Sequence, residues 1–202
     1  ANIREVDAIA HVLRCFEDGD ITHVEGRVDP VADAETIETE LMIADMESIE
    51  RRLANLQRKL KGGDKEAKDQ DRLLRVALDV LNAGQPARTV SVSEEDRRLW
   101  NQLQLLTAKP VLYVCNVAES EAATGNALTE KVAEKARAEG AATVVISARI
   151  EEEISQLDPE EAEMFLSELG LEEPGLDRLI RAAYDLLGLR TYFTVGPKEA
   201  RA

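Results

Sequence analysis

Aromatic residues, cysteines and histidines are scarce in this chain, and each shortage narrows what the protein can be. Aromatic residues make up 3% of its 202 residues, so the core must be built from aliphatic side chains. The two cysteines, Cys15 and Cys115, each end an apolar run, which favours reduced, buried thiols in a cytoplasmic protein. No group of cysteine and histidine residues has zinc-site spacing, so no metal site is predicted. The two histidines are isolated, and no catalytic residue is predicted.

Long apolar segments are absent as well. No run approaches the roughly 18 residues of a membrane-spanning helix, and the N-terminus lacks the pattern of a signal peptide. The net charge of −15 disfavours nonspecific binding to nucleic acid or to an anionic membrane by the chain as a whole. We therefore expect a cytoplasmic protein that has neither a membrane nor DNA as a partner.

The chain alternates between apolar runs of β type and amphipathic helical segments. The runs at 6–16, 110–117 and 143–148 are typical of strands that are buried on both faces. Strands that alternate with helices predict an α/β fold with a parallel sheet and crossover helices. A helical hairpin is predicted after the first strand. Ser93 is predicted to cap the next helix, which is lined by Leu99, Trp100, Leu103 and Leu106. The remaining predicted helices are 127–139, 151–169 with a break at Asp158-Pro159, and 176–189.

A long helical hairpin interrupts the first crossover. Apolar residues recur at steps of four and three along its first helix, which is a heptad-like seam. Gly62 and Gly63 break this pattern and a second apolar series follows, so we predict an antiparallel coiled-coil hairpin over residues 34–83. The apolar positions are Met42, Met46, Ile49, Leu53, Leu56 and Leu60, followed by Leu74, Ala77, Leu78 and Leu81.

Polar residues follow two of the predicted strands, at the edge of a parallel sheet where ligands bind. Asn116 and Glu119 lie after the second strand, and Ser147-Ala148 ends the third. In a Ras-like GTPase, Asn-Lys-x-Asp and Ser-Ala at these places recognise the base. The Asn amide can donate and accept at the purine Hoogsteen edge, the Asp carboxylate accepts from guanine N1–H and the amino group, and the Ser-Ala backbone N–H faces the base oxygen. A simpler alternative, in which Asn116 only caps its own loop, stays open.

Two residues depart from the GTPase pattern. Val117 stands where Lys would cover the base, and Glu119 stands where Asp would recognise guanine. Because Glu is one methylene longer, its carboxylate cannot occupy the same point unless the loop moves. The loss of two charge-assisted hydrogen bonds would weaken the preference for guanine by roughly 2–4 kcal/mol. The site should therefore tolerate or prefer ATP.

Longer strings of the sequence resemble one family. The strings ANIREVDAIAHVLRCFEDGDITHVEGRVDP, KPVLYVCNVAE and TYFTVGPKEARA closely resemble the YchF subfamily of Obg-like P-loop NTPases, along essentially the whole chain. The resemblance implies a partial Ras-like P-loop G domain with a parallel sheet, an inserted coiled-coil hairpin and the start of a TGS domain. It also implies a ribosome-associated parent enzyme that binds and hydrolyses ATP and, as a side activity, GTP.

The resemblance also assigns roles to individual positions. Asn116 looks like the residue that contacts the base edge, and Val117 looks like a lining residue of the adenine pocket. Glu119 matches the family's altered acidic position, and Ser147-Ala148 resemble the second base-contacting turn.

Domain boundaries and missing motifs follow from the same resemblance. Residues 1–30 and 109–190 would be G-domain segments, 31–108 the hairpin insertion with its return helix, and 191–202 the start of the TGS domain. No G-x-x-x-x-G-K-[ST] motif occurs in the chain. The phosphate-binding residues and the ligands of the Mg²⁺ that accompanies ATP or GTP are therefore expected outside it. Hydrolysis is expected of the parent enzyme and not of this chain alone.

A basic segment distinguishes the hairpin from the rest of the chain. Residues 51–75 hold nine cations and four anions, a charge of +5, which leaves −20 for the remainder. One interpretation is an ordinary solvated helical surface. The other is a tip that contacts ribosomal RNA or another acidic partner, so that the chain acts as a nucleotide-independent adaptor. The tip cations are Arg58, Lys59, Lys61, Lys65 and Lys68.

Overall fold

The computed structural model describes residues 2–17, 28–192, 194–195 and 200–201. Most of the predicted loop at 19–30 and most of TYFTVGPKE therefore lie outside the described residues. The strands are β1 (Ile9–Arg14), β2 (Val111–Asn116), β3 (Ala142–Ile146), β4 (Thr194–Val195) and β5 (Ala200–Arg201). The helices are α1 (Pro30–Lys61), α2 (Lys65–Asn82), α3 (Glu94–Gln102), α4 (Ala127–Glu139), α5 (Ala148–Ile154), α6 (Pro159–Glu168) and α7 (Gly175–Leu186).

Three strands form a parallel sheet with β2 in the centre. In the β2–β3 ladder, Asn116 is the partner of Ile146. On the other side, the Ile9 amide donates to the Pro110 carbonyl at 3.0 Å and the Cys15 amide donates to the Asn116 carbonyl at 2.7 Å. The sequence offset is the same in both bonds, as parallel pairing requires. The predicted α/β fold with a parallel sheet is confirmed.

The expectation that all three strands are buried on both faces is right only for β2. Its residues from Leu112 to Cys115 are each at most 2% exposed. In β1 the side chains alternate in exposure, and Val12 is 62% exposed. Most of β3 is half-buried. Helices α4 and α7 each contact both β2 and β3, but only β2 has a neighbouring strand on each side, so the two outer strands keep part of their side chains in solvent.

Helices on both faces hold β2 in place. Leu112 and Val114 form an apolar cluster with Val144 of β3 and with side chains of α7. On the opposite face, the Tyr113 hydroxyl donates to Glu139 Oε2 of α4 at 2.8 Å. Full burial of an aliphatic side chain contributes about 1.5–3 kcal/mol, so this packing fixes the strand and the start of the loop that follows it.

Contacts divide the chain into two units, residues 1–9 with 31–110 and residues 10–30 with 111–202. The first unit holds α1, α2 and α3, and the second holds most of the sheet and helices α4 to α7. The boundaries drawn from the sequence at 30, 108 and 190 stay predictions, as does the TGS domain.

The first two helices lie where the two periodic segments predict them. The turn between them contains Gly63, whose φ of +78° favours glycine. Asp64 then caps α2, because its carboxylate accepts from the Ala67 amide at 3.1 Å. Both helices contribute to one apolar cluster, in which Ile49 and Leu74 are almost fully buried. The description of the pair as a coiled-coil hairpin stays a prediction.

The third helix is shorter than the sequence pattern predicts. Ser93 caps it as expected, but it ends at Gln102, so Leu103 and Leu106 lie beyond the helix. The chain turns at Gln104, where φ is +49°. Leu103 and Leu106 are nevertheless buried. Their helical spacing therefore reports burial in an irregular segment and not continuation of the helix.

Asp45 is a buried polar centre of the first unit, with no exposed surface. Its Oδ1 accepts from the Leu106 amide at 2.9 Å and from Arg4 Nη1 at 2.9 Å. Its Oδ2 accepts from the Thr107 amide at 2.8 Å and from the Thr107 hydroxyl at 2.9 Å. The same hydroxyl accepts from the Ala87 amide at 3.1 Å. These bonds tie α1 to the segment that leads into β2.

The helical region after β3 begins earlier than expected and breaks where expected. Helix α5 starts at Ala148, so Ser147 is its N-cap residue and not the end of a strand. The break falls at the predicted Asp158-Pro159. The Asp158 carboxylate caps α6, and Pro159 occupies the first turn, where its missing N–H needs no partner.

Candidate functional site

The carboxyl ends of β2 and β3 bring two of the predicted site segments together. The Val117 amide donates to the Ile146 carbonyl at 2.9 Å, which continues the ladder one residue beyond β2. Asn116 Oδ1 accepts from the Ala148 amide at 2.9 Å. Asn116 is therefore bonded to the turn after β3. The side-chain carbonyl of Asn116 bonds to the turn after the neighbouring strand. It does not bond to its own loop, as the simple loop cap considered above would require.

This bond occupies part of the hydrogen-bonding capacity of the Asn116 side-chain amide. Because Oδ1 is held by the Ala148 N–H, the Nδ2 group is the part left to donate to a ligand. Asn116 Oδ1 keeps a second lone pair, so the expectation that the amide both donates and accepts stays a prediction, and the Ala148 N–H already has a protein acceptor. A donor from Asn116 suits purine N7, which adenine and guanine share.

Ser147 is buried, with 2% exposure, and its hydroxyl has no hydrogen-bond partner among the residues that the structure describes. As the N-cap residue of α5 it also makes no side-chain capping bond. A buried hydroxyl without a partner costs about 1–3 kcal/mol. The hydroxyl can accept from or donate to a polar ligand atom, so it is a candidate ligand contact.

Glu119 does not stand free at the strand ends. It begins a short 3₁₀ turn, Glu119–Glu121, and its Oε1 lies 2.6 Å from Arg149 Nε. The two side chains are 39% and 75% exposed, respectively. No role for Arg149 is predicted from the sequence, although its position directly after Ser147-Ala148 is the signal that could have indicated one.

The Val117 side chain is buried, unlike that of a residue that lines an open pocket. Its side chain is 3% exposed. Its amide is already bonded in the ladder. A base at this site would meet little of the Val117 side chain. Asn116, Ser147 and Ala148 are thus contiguous, and Glu119 joins them through Arg149.

A cleft of about 360 Å³ lies in the same unit. It is lined by the residues after β1, the loop after β2 and the start of α4, including Phe16, Glu121 and Asn126. Asn126 caps α4 and donates from Nδ2 to the Cys15 carbonyl at 2.7 Å. This cap is not among the sequence predictions, although an Asn before ALTEK with Thr129 three places later indicates one.

Both cysteines are buried, free thiols, as predicted. The hydrogen bond to Cys115 and burial raise the pKa of the Cys15 thiol far above its ordinary value. The same hydrogen bond lowers the pKa of Cys115. Cys15 therefore stays protonated and supplies packing and not nucleophilic chemistry.

The five tip cations are all exposed. Arg58, Lys59 and Lys61 lie in the last turn of α1, while Lys65 and Lys68 lie in the first turns of α2. None of them forms an ion pair with another residue of the described part of the chain. The first three line a shallow basin of about 670 Å³.

Within the described ranges, no three histidine, cysteine or acidic residues are grouped as metal ligands. No helix in those ranges has both the length and the apolar character needed to span a bilayer.

Comparisons with known proteins identify the family. No family model matches the chain. The chain is 49% identical to the ribosome-binding ATPase YchF of Bacillus subtilis and 46% identical to that of Escherichia coli O157:H7, in each case over its whole length. The structure of the Schizosaccharomyces pombe YchF GTPase matches 98% of the chain, with 33% identity and a TM-score of 0.82. The chain spans about half the length of these relatives, 55–56%. It therefore belongs to the YchF family.

Proposed function

We propose that the protein containing this chain binds and hydrolyses ATP, and GTP less readily, in association with the ribosome, and that this chain supplies the purine pocket. The bacterial relatives are named ribosome-binding ATPases, and the matching structure is named a GTPase. The observation that carries the pocket is the hydrogen bond between Asn116 and Ala148, which joins the two strand ends.

In the proposed pocket, Asn116 Nδ2 donates to purine N7 and holds either adenine or guanine. Ser147 Oγ, which is otherwise unpaired, contributes a second polar contact. It can accept from the adenine amino group or donate to guanine O6, so it does not select between the bases. Ala148 and the backbone at Val117 border the base, and Glu119 stands at the edge where guanine would be distinguished.

The phosphates and their Mg²⁺ would be held by residues outside this chain. When bound, Mg²⁺ neutralises charge on the transferred phosphate and orients it. The residues of this chain bind and orient the base, which places the triphosphate but does no chemistry on it.

Nucleotide binding to the full-length protein tests the pocket. Asn116→Ala removes the N7 donor and the anchor to Ala148, so the Kd for both ATP and GTP should rise about tenfold or more by calorimetry. Asn101→Ala, an exposed amide on α3, is the matched control and should leave both values unchanged. Unaltered binding in Asn116→Ala, or strong GTP selectivity of the wild type, would contradict the proposal.

The altered acidic loop can be tested separately. Val117→Lys combined with Glu119→Asp restores the residues of a guanine-specific loop and should move the preference towards GTP. The readout is the ratio of the two Kd values, in which changes common to both nucleotides cancel. An unchanged ratio would show that these two positions do not govern base preference.

A second candidate function is a nucleotide-independent adaptor that docks on the ribosome through its tip cations. The observation that favours it is that all five cations are exposed and have no ion-pair partner in the described part of an otherwise acidic chain. Changing all five to Gln should abolish salt-sensitive co-sedimentation with ribosomes, because binding to phosphates weakens steeply with salt. Exchanging Arg for Lys and Lys for Arg at the same positions preserves charge and should preserve binding. Full binding by the Gln variant would exclude this mechanism.

A further inference from the structure

We propose that Arg149 is a positioning residue for base specificity: it holds the Glu119 carboxylate away from the base and so sets the preference for adenine. The inference rests on the proposed purine pocket. It gives Arg149 a role that neither the sequence pattern nor the strand-end contacts assign to it.

The placement of the pair supports this role. Arg149 directly follows the Ser147-Ala148 turn, and Glu119 lies three residues after Asn116. Arg149 Nε is 2.6 Å from Glu119 Oε1 but 3.9 Å from Glu153 Oε1, so Glu119 is its principal partner. The ion pair therefore bridges the two loops that would surround the base.

The chemistry of the two bases explains what the pair would change. Guanine presents N1–H and a 2-amino group, two donors that a free carboxylate accepts together. Adenine has an unprotonated N1, which a free carboxylate would repel. A Glu119 carboxylate held and neutralised by Arg149 loses both the attraction and the repulsion, so the site favours adenine relative to a site with a free carboxylate.

The other guanine-selective group is also occupied. The Ala148 N–H, which could donate to guanine O6, donates to Asn116 Oδ1. The remaining donor, Asn116 Nδ2, suits N7 of both bases. Two groups that could favour guanine are thus each bonded within the protein.

The test is the ratio of the GTP and ATP dissociation constants of the full-length protein, measured with fluorescent nucleotide analogues. Exposed ion pairs are weak, so Arg149→Ala should lower the GTP-to-ATP Kd ratio by only about three- to fivefold. Arg149→Lys keeps the charge and should retain most of the wild-type ratio. Arg181→Ala breaks a similar exposed pair, Arg181–Glu173 at 2.6 Å in the same unit, and should not change the ratio.

Two further measurements separate positioning from a general structural effect. In a Glu119→Gln background, Arg149→Ala should have no effect on the ratio, since no carboxylate remains to be held. Raising the salt concentration should lower the ratio in the wild type but not in Arg149→Ala, because salt screens an exposed pair. Phosphate contacts are common to both nucleotides and cancel.

The outcomes distinguish this inference from the pocket itself. If Arg149→Ala leaves the ratio unchanged, or weakens both nucleotides equally, while Asn116→Ala weakens binding of both nucleotides as expected, then the pocket stands and the role of Arg149 is overturned. If Asn116→Ala binds both nucleotides normally, the pocket fails, and the role of Arg149 fails with it.

Discussion

Asp45 in the helical unit and Ser147 in the sheet unit are both buried polar residues, but their surroundings are opposite. Asp45 accepts four hydrogen bonds, from Arg4, Leu106 and Thr107. The Ser147 hydroxyl has no partner. A buried polar group stabilises a fold only when its bonding capacity is used, and otherwise it lowers stability. Asp45 is therefore a structural group, whereas a ligand contact for Ser147 stays the prediction that the proposed pocket makes.

The largest expected effect is the loss of stability when Asp45, whose hydrogen-bonding capacity is used, is replaced. Asp45→Ala removes the carboxylate that accepts from the Leu106 and Thr107 amides and leaves Arg4 with backbone carbonyls as its acceptors, so it should lower the free energy of unfolding by about 3–5 kcal/mol. Urea unfolding followed by the fluorescence of Trp100, the single tryptophan, reports on the same unit. Glu94→Ala, which breaks an exposed pair with Arg97, should change stability by less than about 1 kcal/mol. A similarly small loss of stability for Asp45→Ala would contradict the contrast between Asp45 and Ser147.

Two hydroxyl deletions sharpen the comparison at intermediate size. Thr107→Val removes a hydroxyl that donates to Asp45 and accepts from Ala87, and should cost about 1–3 kcal/mol. Ser147→Ala removes an unpaired hydroxyl, so it should change stability by less than about 0.5 kcal/mol or increase it.

The same two substitutions should rank in the opposite order in their effect on nucleotide binding. Ser147→Ala should weaken ATP binding several-fold, while Thr107→Val should leave the ATP Kd unchanged. Thermal unfolding measures the stability of each variant, and calorimetry measures the ATP Kd of each. A loss of stability in Ser147→Ala that matches Thr107→Val would mean that the Ser147 hydroxyl is bonded within the free protein.

The smallest effect concerns Asp96, a partly exposed carboxylate of the helical unit. Its hydrogen bond with Arg72 lowers the pKa of Asp96 below the ordinary 3.8. A lowered folded-state pKa stabilises the protein above the unfolded pKa, and this stabilisation disappears as the pH falls through the folded value. Asp96→Asn should therefore lower Tm slightly at pH 7 and converge with the wild type in acid, once the pH is below the lowered folded-state pKa of Asp96. A difference that persists in acid would point to the Ser93 contact and not to the charge.

Much of the fold follows from local sequence patterns. Gly62-Gly63 and Asp158-Pro159 punctuate helices through their backbone preferences, and these preferences act at any place in a fold. Leu103 and Leu106 behave differently, because their helical spacing continues past the end of α3. An apolar period reports which side chains are buried and does not by itself fix the backbone that buries them.

The candidate site was only partly accessible from sequence. Two polar segments after two β-type runs predict neighbouring strand ends, because parallel strands end at the same edge. The partners of those segments were not predictable. Arg149 lies 30 residues from Glu119, and many carboxylates compete for each arginine in a chain with 40 acidic residues.

By itself, the sequence determined the alternation of strands and helices, the excess of acidic charge, the basic tip and the family. Each depends on composition or on residues close together in the chain. Tertiary structure decided which buried polar groups are satisfied, that Asn116 turns its carbonyl to Ala148, and that Glu119 is held by an arginine. These outcomes depend on distances of about 3 Å between residues far apart in sequence, and such distances exist only after the strands have paired.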